Sequence, residues 1–105
     1  MSGWGRQLAQ EGFVAVVPDL PARSDHARNA RFISDLKVYF YTDESWKKRI
    51  DPARTGLMGF SAGGLSTLLS AADSPDVAVW VGLDPVDRKD MGANAARRFS
   101  AEPLF

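Results

Sequence analysis

The chain has 105 residues, of which 45% are hydrophobic and 25% charged, and this composition is ordinary for one globular unit. Its 13 basic and 13 acidic residues cancel to a net charge of zero, which gives no electrostatic basis for binding nucleic acid. Because the chain has no cysteine, a disulfide framework and a thiolate metal site are excluded. No apolar run approaches the ~20 residues of a membrane span, so we expect no insertion into a membrane and a cytoplasmic location.

The first residues predict a helix followed by a buried strand. Residues 4–10 carry apolar side chains at helical spacing, and Gly12 is suited to end that helix because glycine readily adopts the left-handed conformation. Residues 13–17 read FVAVV, an unbroken apolar run that is typical of a strand buried on both faces. The strand is expected to end at Pro18 and Asp19, and a polar loop follows.

A long helix is predicted to begin at Asp25 or Ser24, because either side chain is suited to cap it. The aromatic and β-branched run at residues 38–42 weakens the helical signal there. Asp51 and Pro52 are expected to end this region and to turn the chain into the next strand. The buried face of the helix is expected at four apolar residues with helical spacing: Phe32, Ile33, Leu36 and Phe40.

The second half of the chain predicts a strand, a helix, a second strand and a short helix. The first strand stops at Ser61 and leads directly into a helix, which the sequence DSP at residues 73–75 ends. Residues 77–83 read VAVWVGL and predict a second strand buried on both faces, and residues 93–99 are compatible with a short helix. This alternation of helices and strands indicates an α/β fold with a parallel sheet covered on both faces.

Three polar residues directly follow the predicted strands, namely Asp19, Ser61 and Asp84. In parallel sheets, binding and catalytic sites form outside the carboxyl ends of the strands. We interpret Asp19 as structural, at the rim of such a site, whereas the positions of Ser61 and Asp84 favour catalysis.

The segment GFSAG fits the nucleophile-elbow pattern G-x-S-x-G, in which a serine occupies a tight turn between a strand and a helix. Such a turn strains the backbone of Ser61 and exposes its hydroxyl above the sheet. We expect the strand and the helix to cross closely at Gly59 and Gly63, where only glycine leaves enough space. Gly64 is expected to leave room for a substrate. The N–H of Ala62, in the first turn of the helix, is expected to face a developing oxyanion.

A glycine- and serine-rich turn that serves only packing or phosphate binding could carry the same pattern. Against this alternative, an apolar run precedes the motif and a helix-forming run follows it, which is the context that the elbow requires. The turn also lacks the dinucleotide-binding fingerprint and the lysine of a phosphate-binding loop.

At GFSAGG the chain resembles an α/β-hydrolase, and the likeness covers most of the sequence. Residues 12–19 are similar to that family's passage from a helix end through a glycine and a buried strand to Pro-Asp. Residues 51–59 resemble its lead-in to the elbow. Within the superfamily, residues 81–87 are similar to a segment of chlorophyllase-like and dienelactone-hydrolase-like esterases.

The resemblance implies that Ser61 is the nucleophile and that Asp84, after the strand that follows the elbow helix, is the acid of the catalytic triad. A carboxylate at this place would accept a histidine N–H and stabilise the imidazolium that forms during catalysis. Two alternatives stay open: Asp84 stabilises a turn before Pro85, or Asp87 is the acid.

Two parts of the family's pattern have no counterpart in the sequence. The histidine of the triad comes after the acid in this family, yet no histidine follows Ser61. The only histidine, His26, is expected to be exposed near a helix start and not to be the general base. The strand with the second oxyanion donor should precede Trp4. We therefore expect residues 1–105 to be a partial domain, the central part of an α/β-hydrolase truncated at both ends, with the histidine beyond Phe105.

The resemblance implies a serine hydrolase that cleaves carboxylic esters through an acyl-enzyme, with a small-molecule ester as substrate and no cofactor or metal. Without a histidine base, the 105 residues alone are expected to be inactive. The alternative is a non-catalytic hydrolase-like module that serves binding or assembly. Nothing in the residues predicts an oligomeric state.

Overall fold

The computed structural model of the chain describes residues 2–99 and 103–104. Their helices and strands are α1 (Ser2–Gln10), α2 (His26–Thr42), a 3₁₀ turn (Pro52–Arg54), β1 (Thr55–Phe60), α3 (Ala62–Ala72), β2 (Val77–Leu83), α4 (Met91–Arg98) and β3 (Pro103–Leu104). No helix within these described ranges is long and apolar enough to cross a membrane.

The strands form one parallel sheet in the order β1-β2-β3. β1 and β2 run side by side from Thr55 opposite Val77 to Phe60 opposite Leu83, with one irregular step between Thr55 and Gly56. Parallel strands joined by the crossover helix α3 confirm the predicted α/β class. β2 has the predicted bounds, α4 starts two residues earlier than expected, and β3 was not predicted.

Two helices and two strands pack around α3. This helix contacts α2, β1, β2 and α4, so it is buried around most of its circumference. Leu65, on this helix, is 1% exposed. The hydroxyls of Ser34 and Ser70 lie 2.7 Å apart and join α2 to α3. The main hydrophobic cluster combines residues of α3 and β2 with residues at the end of α4: Leu68, Ala71, Val77, Trp80, Ala95 and Phe99.

The cap of α2 was predicted correctly, but the first turn of the helix is more buried than expected. The Asp25 carboxylate accepts the N–H of Arg28 at 3.0 Å, as an N-cap should. The expectation of an exposed His26 is wrong, because this side chain is only 8% exposed. The preceding loop folds back over the first turn: the Asn29 side chain accepts the N–H of Ala22 at 3.0 Å and donates to its carbonyl at 2.7 Å. His26 and Asn29 are three residues apart, so they share the covered face of the helix.

α2 continues through residues 38–42, where its β-prone sequence weakened the helical prediction. Packing against α3 outweighs the low helix propensity of these side chains. Of the expected buried face, Ile33 is 6% exposed. The other three members are partly buried: Phe32, Leu36 and Phe40.

A polar cluster holds the end of α2 to the amino-terminal ends of β1 and β2. The Tyr41 hydroxyl donates to Asp76 at 2.6 Å and lies 2.6 Å from the Thr55 hydroxyl, and Lys37 Nζ lies 3.3 Å from Asp76. Burial raises the pKa of Tyr41 to about 12, and the hydrogen bond to Asp76 adds to the effect. Burial alone would raise the pKa of Asp76, but the hydrogen bond from Tyr41, a backbone hydrogen bond, and the charge and hydrogen bond of Lys37 together outweigh burial and lower that pKa.

Residues 13–17 do not form the predicted strand. α1 ends at Gly12 with φ +95°, and the N–H of Phe13 donates to the Leu8 carbonyl at 3.1 Å, which confirms the predicted glycine cap. From there to α2 the chain has no regular secondary structure. A strand needs a neighbour that pairs with its backbone groups, and none of the described strands lies beside this segment. Four of its apolar side chains are exposed: Phe13 61%, Val14 43%, Val16 45% and Val17 50%.

Candidate active site

Ser61 occupies the turn between the last residue of β1 and the first residue of α3. Its backbone has φ 54° and ψ −121°, a conformation that costs a non-glycine residue free energy and persists only where the surroundings enforce it. The side chain is half-buried and makes no capping hydrogen bond to α3. The predicted turn of a nucleophile elbow is therefore present, and its hydroxyl is not used to cap the helix.

The close crossing of strand and helix requires glycine at one of the two expected positions. A Cβ atom at Gly59 would overlap the carbonyl group of Gly63 and would lie 2.5 Å from the nitrogen of Gly64. A Cβ atom at Gly63 would meet nothing within 4 Å, so the expectation of crowding at this position is wrong. The difference arises because Gly63 approaches β1 through its carbonyl and not through its Cα hydrogen atoms.

The space that a side chain of Gly64 would enter is filled by Pro85, so the expectation that the missing side chain leaves room for a substrate is wrong. A Cβ atom there would lie 2.8 Å from Cβ of Pro85 and 3.2 Å from its Cα. Pro85 stands in the loop after β2, so the missing side chain of Gly64 lets this loop pack directly onto the first turn of α3.

Backbone hydrogen bonds bring Ser61 next to the predicted acid. The N–H of Ser61 donates to the Leu83 carbonyl at 3.0 Å, and the carbonyl of Ser61 accepts the N–H of Val86 at 3.3 Å. Asp84, exposed and with φ 48°, lies in the chain between these two partners. The structure therefore places Ser61 and Asp84 side by side at the carboxyl ends of β1 and β2.

Ala62 is the first residue of α3 and is half-buried. The N–H groups in the first turn of a helix have no intrahelical acceptor, and the helix dipole adds partial positive charge there. The N–H of Ala62 is thus free of the helix and directly follows the serine, an arrangement that suits a donor to an oxyanion.

The alternative acid, Asp87, is engaged elsewhere. Its carboxylate accepts the N–H groups of Gly92 at 2.6 Å, Ala93 at 3.1 Å and Arg88 at 2.7 Å, and so caps the start of α4. The bond from Gly92, with those from Ala93 and Arg88, lowers the pKa of Asp87. Asp84, by contrast, stands in the chain between the two residues that bond to the Ser61 backbone.

Thr67 was missed by the sequence analysis, although it supports the elbow. Its hydroxyl lies 2.9 Å from the Gly63 carbonyl and 3.0 Å from the Gly64 carbonyl, and it accepts the indole N–H of Trp80 at 2.9 Å. The available signal was a set of three hydroxyl side chains, Ser66, Thr67 and Ser70, in a helix of otherwise small and apolar residues, because buried hydroxyls need hydrogen-bond partners.

A cavity of about 280 Å³ lies between α3, α4 and the loop after β2. Gly64, Trp80 and Val86 contribute to its largely apolar wall, and Ser61 does not line it. Within residues 2–99 and 103–104, no group of three or more histidine, aspartate and glutamate side chains is arranged to hold a metal ion.

Comparison with known proteins identifies the family of the chain. A family model described as PETase, PET hydrolase-like, matches residues 1–95. Cutinase est1 of Thermobifida alba is 34% identical over 84 residues, which are 77% of this chain and 28% of the cutinase. Cutinase 2 of Thermobifida cellulosilytica is 33% identical over 84 residues, 77% of this chain and 32% of that protein.

The chain thus spans 28% and 32% of the lengths of these two curated relatives. No solved structure matches it. The matches point to cutinases and PET hydrolases and not specifically to chlorophyllase-like or dienelactone-hydrolase-like esterases. With a serine at a strained strand-to-helix turn and a family match over residues 1–95, the chain belongs to the PET hydrolase-like family of α/β-hydrolase serine esterases.

Proposed function

We propose that the full-length protein containing this chain hydrolyses carboxylic esters, with Ser61 as the nucleophile. The observation that carries the proposal is the strained turn at Ser61, whose hydroxyl does not cap α3 and whose next residue is the first of that helix. Family membership supports the reaction class. The relatives are cutinases by name and the family model is described as PET hydrolase-like, which favours an ester bond of a polyester type, with small-molecule esters as convenient assay substrates.

In the proposed reaction the Ser61 oxygen attacks the ester carbonyl carbon while a histidine takes the serine proton. The carbonyl oxygen becomes an oxyanion and accepts the N–H of Ala62. Collapse of the tetrahedral intermediate breaks the bond to the alcohol, which leaves with the proton from the histidine. Water then hydrolyses the acyl-enzyme by the same steps and releases the acid.

Asp84 is the proposed partner of the histidine. Its support is position: it follows β2 directly and lies between the two residues that bond to the Ser61 backbone. No histidine follows Ser61 in the sequence, so we propose that the base belongs to the protein outside these 105 residues. A truncated domain of this kind is consistent with the short span of the relatives that the chain covers.

A second candidate function is a hydrolase-like module that binds or assembles without catalysis. The lack of a histidine after Ser61 favours it. The strained backbone of Ser61 speaks against it, because a turn that costs free energy without a chemical role is not expected to persist.

A fluorophosphonate probe separates the two functions, since it forms a covalent bond only with an activated serine. We expect one probe per molecule of the full-length native protein and none on Ser61→Ala. Ser45→Ala, which changes an exposed serine in a turn, is the matched control and should label fully. Turnover of p-nitrophenyl butyrate should follow the labelling. Equal labelling of native protein and Ser61→Ala, or no labelling of folded native protein, would refute the proposal.

A further inference from the structure

The peptide unit between Ser61 and Ala62 is held through its carbonyl. That carbonyl accepts two hydrogen bonds, from the N–H of Gly64 at 3.0 Å and from the N–H of Val86 at 3.3 Å. The described chain contains no cis peptide bond, so the N–H of Ala62 points opposite to the Ser61 carbonyl in one rigid plane. The groups that hold the carbonyl therefore set the direction of the Ala62 N–H.

The two hydrogen bonds have different origins. The bond from Gly64 is part of the first turn of α3 and moves with that helix. The bond from Val86 comes from the loop after β2, so it is the one that fixes the peptide unit relative to the sheet.

Val86 supplies this bond because of a proline. In a regular parallel pair of strands, a residue donates its N–H to the carbonyl of the residue before its partner. Its own carbonyl accepts the N–H of the residue after that partner. Phe60 pairs with Leu83, so the next residue, Ser61, would pair with Asp84. In a regular pair, Ser61 would then bond to the Leu83 carbonyl and to the N–H of residue 85. Pro85 has no N–H. The chain bulges through the left-handed residue Asp84, and Val86 donates instead.

We propose that Val86, through its backbone N–H, is a positioning residue that aims the Ala62 N–H at the oxyanion. Two hydrogen bonds on one carbonyl also polarise the peptide unit and make its N–H a stronger donor. The role rests on the proposed function, and it concerns the transition state, because only there does the substrate oxygen carry a full charge. Val86 should therefore affect kcat and not KM.

The test removes this N–H from the full-length protein in two ways. Val86→Pro deletes the donor by mutation, and replacement of Val86 by 2-hydroxyisovaleric acid exchanges the amide for an ester without adding a ring. Val86→Ala keeps the N–H and is the matched control for the side chain. Hydrolysis of p-nitrophenyl butyrate gives kcat and KM, and each kcat is divided by the fraction of molecules that a fluorophosphonate labels at saturation.

We expect both donor-free variants to lose about tenfold in kcat, less than the complete loss of an oxyanion donor, with KM within about twofold of native. Val86→Ala should keep kcat within about twofold. A kcat near native in the ester-containing protein, or a loss confined to KM, would overturn the positioning role. Failure of the proposed function is visible separately, as labelling that survives in Ser61→Ala.

Discussion

Trp80 donates its indole N–H to the hydroxyl of Thr67 at 2.9 Å, and both side chains are buried. The same hydroxyl lies within hydrogen-bond distance of the Gly63 and Gly64 carbonyls, at 2.9 and 3.0 Å. The bond therefore connects the middle of β2 to the first turn of α3, the turn that follows Ser61. This side-chain hydrogen bond and the backbone hydrogen bonds of Ser61 therefore both attach the strand-to-helix turn to the sheet.

Replacing Thr67 by valine should destabilise the protein, because valine keeps the shape but removes the hydroxyl that these groups share. We expect a loss of about 1–3 kcal/mol in the free energy of unfolding. Thr67→Ser retains the hydroxyl and should lose less, about 1 kcal/mol for one buried methyl group. Urea denaturation of the full-length variants measures both, and a Thr67→Val variant as stable as the native protein would show that the hydroxyl contributes nothing.

Gly59 and Gly63 should respond oppositely to alanine. A Cβ atom at Gly59 meets backbone of α3, which cannot move without displacing the helix, so Gly59→Ala should cost about 3 kcal/mol. Gly63→Ala places its methyl group in open space within a helix and should change stability by less than about 1 kcal/mol, in the stabilising direction. The urea midpoints of the two variants measure these changes in stability. A Gly59→Ala variant as stable as the native protein would contradict the close crossing of β1 and α3.

Asp84 and Asp87 offer a matched pair for the acid of the triad. Asp84→Asn should lower kcat by about 10³–10⁴-fold with KM little changed, since an amide cannot stabilise the imidazolium. Asp87→Asn keeps an oxygen that can accept N–H groups of α4 and should leave kcat within a few-fold of native. Steady-state kinetics on a soluble ester compare the two. A kcat close to native in Asp84→Asn would mean that the acid stands elsewhere in the protein.

The cluster of Tyr41 and Asp76 makes stability depend on pH at both extremes. The pKa of Asp76 is lowered in the folded protein from its ordinary 3.8, so its contribution is present above that value and is lost as pH falls below it. The pKa of Tyr41 is raised from 10.0 to about 12, so its contribution is complete below pH 10 and is lost between these values.

Urea midpoints measured across the pH range check this dependence. Asp76→Asn should reduce the fall of the urea midpoint at acid pH, and Tyr41→Phe should reduce its fall at alkaline pH. Thr42→Val is the matched control, because its hydroxyl bonds only to carbonyls within α2 and does not join the cluster. If the urea midpoints of Asp76→Asn and Tyr41→Phe depend on pH as the native midpoint does, other groups cause the pH dependence.

The parts of the fold that the sequence predicted correctly are those governed by local signals. The Asp25 cap, the glycine end of α1, the elbow at Ser61 and the bounds of β2 each depend on a few neighbouring residues. Two of the wrong predictions, those for Gly64 and for residues 13–17, concern partners distant in sequence. Pro85 occupies the space beside Gly64, and residues 13–17 pair with no strand among the described residues.

The candidate site shows the same division between local and distant signals. The motif predicts Ser61 as the nucleophile and position after a strand predicts Asp84 as the acid, and both roles stay predictions. The supports around them, from Thr67 and Val86, arise from contacts between α3 and the loop or strand that follows it. Such contacts depend on register and on a proline that cannot donate, and no periodicity in the sequence reports either one.

The exposed segment at residues 13–17 has a consequence for handling the protein. An uncharged run with four β-prone residues out of five has the composition of segments that stack into cross-β fibrils. Glu11 and Asp19 flank the run and Pro18 directly follows it, and residues of these types at such places oppose stacking. We therefore expect the resistance of concentrated solutions to aggregation to depend on these two negative charges and on the proline ring.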